Sequence, residues 1–193
     1  MATGFGFKLA NASTAPQPLV RGIHLVGDSV RVGKGDAVKK ATGSIKIGSG
    51  PTVQAYARAA VGDRVAGIVV GCEQHTVASS MNLNQTHCPA STAMYLLIRP
   101  VTSDDVYEVQ EDAVGGSVAT TSVGNNADMI VANCSTTTGM SGTMLDSSTA
   151  ATTNTLDLKI VGFVPAPDNT AGSTARILVK FNKIENVDQA TGV

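Results

Sequence analysis

The residues best able to do chemistry are two cysteines and two histidines that lie close together along the chain. Cys72, His75, His87 and Cys88 follow the pattern C-x2-H-x11-H-C, and thiolate and imidazole are the ligands that zinc prefers. His87 and Cys88 are adjacent, however, and adjacent side chains of a strand point to opposite faces. We therefore expect a buried thiol and two loop histidines, with a zinc site as the alternative.

A second group of candidates consists of carboxylates. Its members are Asp104, Asp105, Glu108, Glu111 and Asp112. A catalytic carboxylate pair needs one member with a raised pKa in an apolar pocket, and calcium needs a loop of suitable ligand spacing. This stretch is predicted to be exposed and has no such loop, so we interpret the group as acidic surface.

Sequence motifs of common enzymes are missing. The chain has no G-x-S-x-G nucleophile elbow and neither of the glycine-rich loops that bind phosphates. We therefore predict that the protein is not an enzyme and uses no cofactor.

Composition points to a weakly charged β protein. Of the 193 residues, 42% are hydrophobic but only 4% are aromatic, and tryptophan is absent, so the core must come from Val, Ile, Leu and Ala. Charged residues make up 15% and the net charge is −1, which disfavours direct binding to nucleic acid. The one basic cluster is Lys34, Lys39, Lys40 and Lys46. We interpret it as a solvated strand edge or as a contact for an acidic partner.

The cysteines, the N-terminus and the length of the apolar runs predict where the protein is located. The three cysteines are sparse and odd in number, which predicts reduced, buried thiols. The N-terminus lacks the pattern of a secretion signal, and no apolar run is long enough for a membrane span. We expect no contact with a membrane.

Short alternating runs, broken by Gly, Pro, Asn and Ser, indicate an all-β fold with minor α content. A period of two places one set of side chains in a core and the other in water. Residues 106–110, 155–160 and 175–181 follow this pattern, whereas residues 52–60 fit a strand or a short helix. We predict two small antiparallel β-barrel or β-sandwich modules with an extended N-terminal arm.

The boundaries of these parts follow the breaks in pattern. The arm spans 1–25, the first module 26–100 with an irregular loop at 73–91, the second module 101–185, and a polar tail 186–193. In the arm, Phe5, Phe7 and Leu9 alternate. They form either a strand that docks on a partner or one that closes the local sheet. For the docking strand, removal of residues 1–20 should leave the fold intact.

Several short phrases carry a resemblance to a known family. They are VYEVQEDAVGG (106–116), VGNNADMIVA (123–132), the run SGTMLDSSTAATTNTLDLKIVGFVPAPDN (141–169) and ARILVKFN (175–182), with GDAV (35–38) and ARAAVGDRVAGIVVG (57–71) in the first half. On these residues the chain resembles the head decoration, or cement, proteins of tailed bacteriophages. The resemblance covers about two thirds of the chain and does not include the arm or the loop at 73–91.

This resemblance implies a β-barrel or β-sandwich subunit made in the host cytoplasm and placed on the outer surface of an icosahedral capsid. There it would form homotrimers and stabilise the head through non-covalent contacts with the major capsid protein. Phe5, Phe7 and Leu9 would be the docking strand. The alternatives are another virion shell or tail-associated subunit, or a small metal- or carbohydrate-binding β module.

Overall fold

The protein is described by a computed structural model that covers residues 4–12, 17–25, 27–46, 52–73, 86–112, 114–172 and 174–185. This part of the chain is nearly all β, as predicted, and its only helical segments are two 3-10 turns. The strands are β1 (Lys8–Asn11), β2 (Val20–His24), β3 (Ala37–Lys46), β4 (Thr52–Arg58), β5 (Gly67–Glu73), β6 (Met94–Pro100), β7 (Val106–Gln110), β8 (Asn126–Ala127), β9 (Met129–Ile130), β10 (Met144–Leu145), β11 (Leu158–Phe163) and β12 (Arg176–Phe181).

Strands β2 to β6 close into a five-stranded barrel in the order β2-β4-β3-β5-β6. Its pairs are antiparallel except for β2 and β4, which run parallel with Ile23 opposite Ala55. The predicted antiparallel module thus has one parallel pair among its described strands. Residues 52–60 supply strand β4 and not a helix. Val53 and Ala55 are buried in one cluster with Ile23 and Tyr95, whereas Thr52 is exposed and Gln54 is half-buried.

The second half of the chain forms an open five-stranded antiparallel sheet. Its order is β1-β7-β12-β11-β8, and β9 pairs separately with β10. Inward-facing Ile177, Val179 and Phe181 alternate with half-buried residues along β12, which is the period of two that the sequence predicted. The predicted strand at 155–160 instead starts at Leu158, after a turn that ends at Asp157.

One hydrophobic core joins the barrel to the sheet. Barrel-side residues such as Ile68 and Val101 belong to the same cluster of buried side chains as Leu158 and Ile177 of the sheet. A smaller cluster, which includes Val69 and Leu96, fills the barrel interior. The barrel and the sheet therefore share buried apolar surface in addition to the core within each.

The N-terminal arm belongs to this shared core. Strand β1 pairs with β7, with Lys8 opposite Glu108. The ring of Phe7 is 3% exposed and lies 4.7 Å from the ring of Phe181 and 6.4 Å from that of Tyr107, between centroids. Of the two interpretations of the arm, the structure supports the second, in which the arm forms a strand that closes the local sheet. Removal of residues 1–20 would take an aromatic side chain and an edge strand from the core, which argues against the expectation that these residues are dispensable for the fold.

Two other predicted segments have little or no description. The tail at 186–193 and residues 74–85 of the predicted loop at 73–91 lie outside the described residues. No helix among the described residues is long and apolar enough to span a membrane.

The position of Phe7 leads to a prediction about stability. Phe7→Ala should lower the free energy of unfolding by about 3–5 kcal/mol, because it removes a buried ring from a packed cluster. Leu19→Ala, at a side chain that is 55% exposed, is the control and should change it by less than about 0.5 kcal/mol. Urea denaturation followed by circular dichroism measures both. Equal midpoints for the two variants would contradict the placement of the arm in the core.

Candidate binding groove

An apolar groove opens between the arm, the barrel and the sheet. It encloses about 480 Å³, within the range of sites that take small ligands or a few side chains. Its walls come from strands that are far apart in sequence, so the groove exists only in the folded chain. The lining includes the apolar residues Phe5, Phe7, Leu9, Val70 and Met140 and the charged residues Lys8, Lys34, Arg99, Glu108 and Arg176.

The carboxylate of Asp36 fixes one end of this groove. Asp36 is fully buried at the start of β3 and accepts hydrogen bonds from Gly33 N at 2.8 Å, Ser141 Oγ at 2.5 Å and Thr143 Oγ1 at 3.3 Å. The first bond closes the turn that carries Lys34. The other two tie this turn to the segment after Met140. Burial raises the pKa of the Asp36 carboxyl above its ordinary value.

Backbone bonds join the same two segments. Lys34 N donates to Gly139 O at 2.8 Å and Ser141 N donates to Lys34 O at 2.8 Å. Lys34 and Met140 thus form a bridge like that of neighbouring parallel strands. The pairing holds both side chains at the mouth of the groove.

The arm approaches this turn closely. Phe7 N donates to Gly35 O at 2.9 Å. Gly6 has a φ of +73°, and a Cβ placed there would lie 2.6 Å from Gly35 O and 2.5 Å from Ser141 Cβ. Glycine is therefore required at position 6, both for the backbone conformation and for the space.

A β-bulge in the barrel supplies the opposite wall. The register between β5 and β6 shifts between Val69 and Gly71, and bulges turn side chains away from the regular alternation. Val70, the residue at the shift, is 41% exposed and lines the groove together with Met140, which is 38% exposed. Two large apolar side chains are thus left open to solvent inside one concavity.

The charges around the groove are mostly paired. Glu108 lies between Lys8 at 3.8 Å and Arg176 at 3.6 Å, and Arg176 also donates to Asp168 at 2.8 Å. Lys34 is different, because no carboxylate of the described residues lies within ion-pair distance of its ammonium group. It is an exposed, unpaired cation at the mouth of the groove.

Arg99 also contributes to the groove lining. Its Nη2 donates to the fully buried Asp105 at 3.0 Å, and Asp105 also accepts from the Tyr107 hydroxyl at 3.4 Å. Burial raises the pKa of Tyr107, so its hydroxyl keeps its proton. Arg99 Nε is buried and has no hydrogen-bond acceptor among the described residues.

The structure describes three of the four members of the predicted metal quartet. His75 lies outside the described residues, and the part that is described contains no group of three or more ligands that could hold a metal ion. Cys88 Sγ donates to Thr92 O at 3.5 Å, and Cys72 Sγ lies 3.9 Å from Val32 O. His87 is buried beside them.

Burial governs the state of the thiols. It raises the pKa of Cys72 to about 11 and also raises the pKa of Cys88 and of Cys134. All three cysteines are free. They are therefore protonated near neutral pH and are poor nucleophiles.

The expectation that the carboxylates at 104–112 form an exposed surface was wrong for three of them. Asp105 and Glu111 are fully buried and Glu108 is 8% exposed, whereas Asp104 is exposed. Each buried member has partners that only the fold supplies. Glu111, for example, accepts from Val118 N at 2.6 Å and Ala175 N at 3.2 Å. These carboxylates hold loops and neighbouring strands together.

Of the residues predicted to dock, Phe5, Phe7 and Leu9 all line the groove. Sequence reasoning missed Asp36, Arg99 and Arg176, and it placed Lys34 in a cluster with Lys39 and Lys40. Those two lysines pair with Asp63 and Glu185. The signal available for Asp36 was its place in the turn Gly33–Asp36, where an aspartate often caps a backbone N–H.

Comparisons of the chain with protein-family models, curated proteins and solved structures find no match.

The raised pKa of Asp36 predicts how stability depends on pH. A carboxyl whose pKa is higher in the folded than in the unfolded state binds more protons when folded, so its contribution favours folding at low pH and is lost as pH rises through the folded pKa. Asp36→Asn keeps an acceptor and removes this titration. The free energy of unfolding of the variant should therefore decline less between about pH 4 and pH 7 than that of the wild type.

Urea denaturation at several pH values in this window provides the measurement. Asp104→Asn makes the same chemical change at an exposed position and serves as the control. If the stability curves of Asp36→Asn and the wild type run parallel across the window, the buried carboxyl does not titrate as argued.

Proposed function

We propose that the protein is a virion structural protein that decorates and stabilises the icosahedral head of a tailed phage by non-covalent contacts with the major capsid protein. The observation that carries the proposal is the apolar groove, which leaves Val70 and Met140 open to solvent. Exposed apolar surface in a concave site is typical of binding surfaces. The groove supports a role in binding, and the resemblance suggests the partner.

The groove and the resemblance involve the same parts of the chain. The phrase at 57–71 contains Ile68 and Val70, the phrase at 106–116 contains Tyr107 and Glu108, and the phrase at 175–182 contains Arg176. The segments that resemble decoration proteins therefore supply much of the groove lining. This overlap supports the proposal that the groove takes part in the family's task.

Binding to heads is the direct test. Purified protein should co-sediment with expanded empty heads of the phage and not with unexpanded heads, because decoration proteins of the resembled family attach after expansion. A difference cryo-EM map of heads with and without the protein should place new density on the outer surface. Absence from expanded heads, or density on the tail, would contradict decoration.

Self-association is a separate expectation of the same proposal. The chain should form a homotrimer with three times its mass of 19.6 kDa, because decoration proteins of this kind occupy threefold positions. Size-exclusion chromatography with light scattering measures the mass in solution. The cryo-EM map of decorated heads also shows how many copies occupy each site. Isolated single copies on the head surface would refute the trimer.

A further inference from the structure

We propose that the groove binds an extended peptide segment that carries one carboxylate beside an apolar side chain, and that Lys34 receives the carboxylate. The inference rests on the proposed function in one respect, namely that the segment belongs to the major capsid protein. The chemistry of the occupant is argued from the groove itself.

The apolar part of the occupant follows from the open side chains. Val70 and Met140 both line the groove and are exposed, and Phe5 and Leu9 of the arm are only partly buried. Covering these side chains removes apolar surface from water, which favours binding in proportion to the area covered. An apolar side chain of the partner is the group that fits this lining.

The charged part follows from the ion pairs at the groove. Four cations line it (Lys8, Lys34, Arg99 and Arg176). Lys8, Arg99 and Arg176 each have a carboxylate within ion-pair distance. Lys34 is exposed and has none among the described residues. Its ammonium group can therefore receive a carboxylate of the occupant.

A peptide fits this lining better than a fatty acid. It can place an apolar side chain against Val70 and Met140 and, from a neighbouring position, a carboxylate at Lys34. A fatty acid has its only polar group at one end.

The first experiment uses expanded heads and two matched charge reversals. Lys34→Glu should weaken binding about tenfold at low salt, and the difference should shrink as salt rises. Lys159→Glu makes the same change at an exposed lysine of β11 outside the groove and should leave binding within about twofold of wild type. Met140→Ser, which changes no charge, should also weaken binding, and circular dichroism confirms that each variant is folded.

The outcomes separate the two proposals. Binding of wild type together with undiminished binding of Lys34→Glu and Met140→Ser overturns the groove inference and leaves decoration standing. No binding of wild type to heads overturns decoration, and with it the claim that the segment comes from the capsid protein. A change in the solution mass of Lys34→Glu, with head binding intact, identifies the groove as a contact between copies and also overturns the inference.

The second experiment tests the chemistry without heads. The probe is a fluorescein-labelled short peptide of leucine, alanine and serine with one central aspartate, and its counterpart has lysine in place of aspartate. Fluorescence polarisation should show binding of the aspartate peptide, loss of that binding in Lys34→Glu and none for the lysine peptide. Equal binding of both peptides overturns the inference. Tighter binding of dodecanoate than of the peptide, with displacement of it, assigns the groove to a lipid-like ligand and also overturns it.

Discussion

Asp36 has no exposed surface, and its carboxylate accepts hydrogen bonds from Gly33 and from Ser141, which lies 105 positions further along the chain. The positions of Lys34 and Met140 at the groove depend on this contact. It closes the turn that carries Lys34 and holds the segment of Met140 against it. A donor left without its acceptor here would cost about 1–3 kcal/mol. The barrel and the second half of the chain therefore meet at a fixed place.

The arm packs against the two segments that Asp36 connects. Gly6 passes between Gly35 and Ser141 with no room for a side chain, and only then does Phe7 reach the rings of Tyr107 and Phe181. The sequence is poor in aromatic residues, so a contact among three of them is a large share of what is available. The arm thus contributes Phe7 to the chain's own core, and Phe5 and Leu9 line the groove.

Periodicity predicted the strands where one face meets the core and the other meets water. Strand β7 occupies the predicted residues 106–110, and β12 begins one residue after the predicted start at 175. Periodicity does not predict which strands lie next to each other in the sheet. The burial of Glu111 depends on Ala175, 64 positions away, and the isolation of Lys34 depends on which lysines find carboxylates. Lysines that look alike in the sequence therefore differ in the folded protein, because only tertiary contacts decide which of them pair with a carboxylate.

Binding at the groove is linked to the stability of the arm because Phe7 belongs to both the core and the groove lining. An occupant that contacts the docked arm binds the folded state alone, so it stabilises that state in proportion to its own affinity. Under the proposed function, one such contact need not be strong. Copies on a lattice gain avidity from several weak contacts, and each contact would also hold the arm in place. A head surface would then select the same arrangement that Asp36 and the aromatic cluster already favour.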